Sequence, residues 1–222
     1  MGLLTIATIL FLLYRLLCTL PSRRPVVKHE KTKSFAVFLG SGGHTGEALT
    51  LVSALDFSRY CPRTYIISQG DTFSEQKAAA LEASKATAVV SSCPAQYTIL
   101  TIPRARRVLQ PLVTVPQTAL ISLLSCIYHI TITHSPFRGR SSFADVLILN
   151  GPGTCCMLCI AVYINKFLGL AAPRVIYIES FARVEALSLS GKLLYPFVDR
   201  FIVQWQQLAE KAKRAEFHGL LV

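Results

Sequence analysis

The chain is poor in acid. Twelve Asp and Glu side chains stand against twenty-three Lys and Arg, a formal charge of +11. That balance admits anionic lipid, phosphorylated substrates or nucleic acid as partners, and the mean hydropathy of +0.46 favours the membrane and sets nucleic acid aside. Several catalytic signatures are missing. There is no D-x-D to hold a divalent metal on a nucleotide diphosphate, no G-x-S-x-G to supply a serine nucleophile, and no P-loop lysine after a glycine-rich turn. Cys155, Cys156 and Cys159 have no second cysteine pair at zinc spacing and sit in apolar surroundings, so neither a metal site nor a cofactor is expected. The seven cysteines, an odd number without a small-scaffold pattern, read as reduced thiols of a cytosol-facing domain.

What is present begins with an apolar segment. Residues 2–20 are apolar except for Arg15, enough to cross a hydrocarbon core of about 30 Å. No basic residue precedes the segment and no A-x-A site follows it, which favours a signal anchor over a cleaved signal peptide. In the linker, 21–33, the stretch Ser22 to Lys33 carries five basic residues against one acid. The positive-inside rule therefore places the remaining domain, 34–222, in the cytosol.

Strands and helices alternate through that domain, which predicts one α/β, Rossmann-like unit with a mostly parallel sheet. The strands are expected at Ser34 to Leu39, Thr64 to Ser68, Gln96 to Ile102, Asp145 to Leu149, Arg174 to Ile178 and Arg200 to Val203. A helix over Thr72 to Ala86 opens on the capping box Thr72-x-x-Glu75. The stretch Leu109 to Ile132 is more apolar than a surface helix needs, yet Pro111, Pro116, Gln117 and His129 interrupt it. It reads as a helix lying along the bilayer beside Arg104, Arg106 and Arg107, or as a crossover helix packed on the sheet. Thr154 to Leu170 reads as a buried helix between two parallel strands.

Two loops carry the chemistry. Gly40-Ser41-Gly42-Gly43-His44-Thr45-Gly46-Glu47 follows the first strand and opens a helix, an order that lets backbone approach a ligand and turns helical N–H groups toward an anion. Its spacing fits neither the dinucleotide fingerprint nor a P-loop. An imidazole beside such a turn suits a general base near neutral pH. Asn150-Gly151-Pro152-Gly153-Thr154 repeats the geometry after the fourth strand, and both loops fall at the carboxyl edge where ligands collect. Glu179 and Arg183 end the fifth strand at that edge, as a second base with a guanidinium or as a structural ion pair.

With Tyr177 to Val184, Leu187 to Lys192 and Phe201 to Trp205, these loops resemble the membrane-anchor subunits of the dolichol-pathway UDP-N-acetylglucosamine transferase. That family is similar to the N-terminal half of MurG-type GT-B glycosyltransferases. The resemblance implies half of a GT-B fold, completed by a separate soluble catalytic subunit that binds UDP-GlcNAc. It also implies a lipid-linked acceptor, GlcNAc-diphosphodolichol, at the cytosolic face of the endoplasmic reticulum, with the nuclear membrane as a further location. Under it, Gly40, Ser41, Gly42, Gly43, Thr45, Asn150, Gly151, Gly153 and Thr154 cradle the acceptor diphosphate, and His44 or Glu179 is the base. The resemblance implies as well that the closing residues Gly219, Leu220, Leu221 and Val222 dock the partner, the alternative being a last strand in this domain's own sheet; composition, and not the resemblance, suggests that Arg104, Arg106 and Arg107 meet the membrane lipid. A tether without catalytic groups is the alternative.

Overall fold

The computed structural model describes residues 2–21, 32–88, 97–107, 109–134 and 142–221; most of the basic linker, Gln96 and Val222 lie outside them. The chain forms α1 (Gly2–Thr19), β1 (Lys33–Leu39), α2 (Gly43–Ser53), β2 (Tyr60–Ser68), α3 (Thr72–Ala88) and β3 (Tyr97–Ile102). There follow α4 (Val115–Ile127), β4 (Val146–Asn150), α5 (Thr154–Leu168), β5 (Arg174–Ile178), α6 (Leu189–Leu194), β6 (Arg200–Val203), α7 (Gln206–Lys211) and β7 (Ala215–Phe217). The seven strands lie in the order β3-β2-β1-β4-β5-β6-β7, and every pairing is parallel. Chain order reverses between β1 and β4, so a crevice is expected where those two strands end.

Alternation along β1 explains the two cores. Phe35, Val37 and Leu39 face α2 and α3 with Ala48, Val52 and Ala78. Ala36 and Phe38 face the other layer with Cys126, Leu158 and Val162. A strand buried on both faces reads as a continuous apolar run, as Ser34 to Leu39 does. The α5 cysteines belong to this second core: burial pushes the Cys159 thiol up to about 12 and holds Cys155 well above its ordinary value.

Several expectations change. The cap of α3 is Asp71, whose carboxylate accepts the Ser74 N–H at 3.1 Å, rather than Thr72. Pro111 precedes the helical stretch and caps its start, and Pro116 does not break it, because it occupies the first turn of α4, where its missing N–H has no intrahelical partner to lose. The helical stretch Leu112–Ile132, ending in a π-turn over Tyr128–Ile132, is therefore continuous. Among the described residues it is the helix long and apolar enough to cross a membrane, and it is not N-terminal. Ser122 and Cys126 are buried, whereas Leu120, Ile121, Leu124 and Tyr128 are half exposed. Cys61 is disulfide-bonded, against the expectation of seven reduced thiols; an odd count leaves room for a bridge. The closing segment does add a last strand to this domain's own sheet, β7, paired with β6.

Two polar clasps join the layers. The guanidinium of Arg15, in α1, donates to the carbonyls of Phe167 and Lys166 at the C-terminal end of α5, where a cation meets the negative end of the helix dipole. Between β2 and α3, Arg63 donates twice to the Glu82 carboxylate, at 2.7 and 2.8 Å, and Tyr65 adds its hydroxyl at 2.7 Å. Both charges are almost fully buried, at 4% and 3% exposure. Burial and the Glu82 carboxylate drive the Tyr65 hydroxyl far up, keeping it a donor. Glu82→Ala strands a buried guanidinium and should cost about 3–5 kcal/mol of unfolding free energy. Chemical denaturation of the wild type and variant measures that loss.

Candidate active site at the carboxyl edge of the sheet

Leu39 and Asn150 are register partners at the ends of β1 and β4, so the two glycine loops leave the sheet side by side. Gly40 has no room for a side chain: a Cβ there would lie 2.8 Å from Pro152 and 3.1 Å from the Asn150 carbonyl. Gly42, at φ +70°, caps α2 without any side-chain hydrogen bond. The first N–H groups of α2 are consequently turned toward the crevice.

Packed contact sets the place of His44. Its ring lies against Gly151, where a Cβ would come within 3.1 Å of Cγ. Its Nδ1 is 2.8 Å from Asn150 Oδ1. The Asn150 amide is itself oriented, because its Nδ2 donates to Glu47 Oε2 at 3.1 Å, and a carboxylate only accepts. Oδ1 therefore accepts from Nδ1–H, which leaves the lone pair of neutral His44 on Nε2. Among the described residues Nε2 has no hydrogen-bond partner. Ser180 Oγ donates to the other Glu47 oxygen at 2.8 Å, so a chain runs Ser180 to Glu47 to Asn150 to His44.

The other predicted residues divide by what they touch. Glu179 is 1% exposed. It accepts the Ser180 N–H at 3.2 Å, the Ser188 N–H at 3.0 Å and the Ser188 hydroxyl at 3.1 Å. A Cβ on Gly191 would strike its Oε2 at 2.2 Å. Glu179 thus braces the entry to α6 beneath the edge, and Arg183 points into solvent without pairing to it. Thr45 is buried, donating to the Gly40 carbonyl at 2.9 Å and sharing a 2.6 Å hydrogen bond with Ser74. Thr154 is buried and accepts the Ala105 N–H at 3.2 Å. Asn150 is fully buried, so its side chain serves His44 rather than a ligand. The accessible parts of the edge are Ser41, Gly42, Gly43, Gly153 and the His44 ring. The Thr154 contact also ties the Arg104 to Arg107 segment to this edge: Arg104 faces Asp71 at 4.0 Å, Arg106 donates to the Gln110 carbonyl at 3.4 Å, and Arg107 extends outward.

Glu47 and Ser180 were missed as members of the site. The signal was available in part, since Glu47 follows His44 by three residues and shares its face of α2. At the far edge, β7 pairs with β6, Leu220 is 59% exposed, and the Leu221 N–H donates to Gln204 Oε1 at 3.0 Å.

A Rossmann-type domain with an oriented histidine at its topological switch point is the class that this fold and edge define. The chain belongs to the Alg14 family: residues 35–221 match the family described as "Oligosaccharide biosynthesis protein Alg14 like". It is 45% identical over 217 residues to the UDP-N-acetylglucosamine transferase subunit ALG14 of Cryptococcus neoformans, covering 96% of this chain and 93% of that one. The Schizosaccharomyces pombe subunit is 46% identical over 89% of this chain and 90% of its own length, and the Homo sapiens subunit 36% over 97% and 94%. Among solved structures, Arabidopsis thaliana UGT89C1 complexed with quercetin matches 86% of this chain and 51% of its own at 12% identity and a TM-score of 0.47.

The relay predicts a tautomer. In the wild type, two-bond proton–nitrogen correlation spectra of the His44 ring should show the Nδ1–H form. In Asn150→Ala the spectrum should move toward the Nε2–H form that free imidazole side chains prefer, and an unchanged pattern would break the assignment of the chain from Glu47.

Proposed function

We propose that this chain is the membrane-anchoring, acceptor-side subunit of a heteromeric UDP-GlcNAc transferase. It recruits a soluble subunit, which binds UDP-GlcNAc, to the cytosolic face of the endoplasmic reticulum. The complex adds the second, β1,4-linked GlcNAc to GlcNAc-diphosphodolichol. The observation that carries the reading is the open Nε2 of His44 at the switch point, in a chain whose relatives over nearly its whole length are named as UDP-GlcNAc transferase subunits.

In this reading the acceptor 4-hydroxyl attacks the anomeric carbon of UDP-GlcNAc from the face opposite the diphosphate. The O4–C1 bond forms, the bond from C1 to the phosphate oxygen breaks with inversion, and UDP departs with the electron pair. His44 Nε2 takes the hydroxyl proton as the attack proceeds, and Asn150 accepts from the ring's other N–H as it becomes cationic. Glu47 stands behind Asn150 and stabilises that cation. Glu179, the competing base, is supported instead as a positioning group, since its oxygens are engaged beneath the edge. The turn Gly40 to Gly43, with Gly153, offers backbone N–H groups to the sugar-side phosphate.

Membrane attachment rests on α1, with the exposed apolar face of α4 and Arg106 beside it. The segment 219–222 is proposed to dock the soluble partner, supported by the exposed Leu220; Val222 lies outside the described residues.

Reconstitution tests this directly. Radiolabelled GlcNAc transfer from UDP-GlcNAc to phytanyl-diphosphate-GlcNAc should need both this chain and the soluble partner. His44→Ala should lower kcat by about 10²–10⁴-fold without loss of partner binding. Wild-type turnover in His44→Ala would reduce the chain to a tether, and activity of the isolated chain would make it a complete enzyme. Removing 219–222, beyond the last strand, should abolish co-purification of the partner while leaving the thermal unfolding transition in place.

A further inference from the structure

Beyond the carboxyl ends of β2 and β3 lies a cavity of about 550 Å³, lined by Gln69, Gly70, Arg104, Arg107, Thr118 and Ile121. A chain of buried polar contacts links its rim to the His44 turn. Thr45 meets Ser74 at 2.6 Å, the Ser74 N–H meets the Asp71 carboxylate at 3.1 Å, and Asp71 faces Arg104 at 4.0 Å.

Its two guanidinium groups are unspent. Among the described residues neither the Arg104 nor the Arg107 side chain makes a hydrogen bond, although each carries five N–H donors in a planar fork suited to phosphate oxygens. Asp71, 8% exposed, orients Arg104 from behind with an oxygen that has no hydrogen-bond partner among the described residues. Two cations against one carboxylate leave the cavity with a net positive charge. One wall belongs to α4, through Thr118 and Ile121. Ile121 is 50% exposed, and the same face continues through Leu124 and Tyr128, with Leu112 at 72% and Val113 at 91% exposure at its head. An exposed apolar strip of this extent marks contact with lipid or a partner.

We propose that this cavity seats the lipid-side phosphate of an isoprenoid diphosphate, with Arg104 and Arg107 on its oxygens and α4 guiding the first isoprene units toward the bilayer. The inference rests on the acceptor-side reading and deepens it. The glycine turn faces the phosphate next to the sugar, and the arginine cavity faces the phosphate next to the lipid. Position along the edge then orients the acceptor, with sugar at His44 and hydrocarbon at α4.

Two measurements test it. In calorimetric titrations, the detergent-solubilised full chain should bind geranyl diphosphate, and bind inorganic pyrophosphate more weakly because no isoprene reaches Ile121. Arg104→Gln and Arg107→Gln should each weaken geranyl diphosphate binding about tenfold; Arg107, being exposed, carries the test if the Arg104 variant misfolds. In the complex with the soluble partner, each variant should raise KM for phytanyl-diphosphate-GlcNAc about tenfold in phosphatidylcholine vesicles, leaving KM for UDP-GlcNAc unchanged. Binding and acceptor KM insensitive to both substitutions would overturn the proposal. So would an effect confined to vesicles containing phosphatidylserine, which would assign the arginines to lipid headgroups. Arginine-dependent binding of geranyl diphosphate without any GlcNAc transfer by the wild-type complex would leave the cavity as a phosphate site and overturn the acceptor-side reading instead.

Discussion

The adjacency of β1 and β4 is the constraint on which the rest depends. Residues 39 and 150 are far apart in sequence yet occupy one level of the sheet. A fully buried amide at that level can reach the first turn of α2 only because Gly40 and Gly151 present no side chain between the loops. One hydrogen bond, from His44 to Asn150, then connects the strand that begins one half of the fold to the strand that begins the other. A buried amide fixed on both sides tolerates little, since an unmatched donor or acceptor there costs about 1–3 kcal/mol.

Much of this order was legible in the sequence. The strands from Ser34 and Arg174 are short apolar runs ended by turn residues, and the glycine loops after the first and fourth announce where a ligand would meet the sheet. The roles within the loops were not legible. Asn150 reads as one more polar residue beside a phosphate; its burial and the direction of its amide depend on Glu47, which lies 103 residues away. Glu179 reads as an edge carboxylate, whereas Ser188 and Gly191 close over it at the start of α6. Pro116 misleads because proline counts against a helix interior and not against its first turn. Tertiary partners decide these cases, and periodicity does not record them.

Charge is divided by depth. Arg63 and Glu82 neutralise one another inside the protein, and Lys166 pairs with Asp199 at 3.1 Å nearer the surface. Arg104 and Arg107 are left with their donors open at the edge.

The clasp of Arg15 on the end of α5 has a geometric consequence. The helix that receives it at Lys166 and Phe167 starts at Thr154, beside the His44 loop. Its fifteen residues, rising about 1.5 Å each, make a strut of about 22 Å between the N-terminal helix and the crevice. The chain carries its own ruler: the distance from the N-terminal helix to the His44 loop is set by the length of one helix and not by the linker.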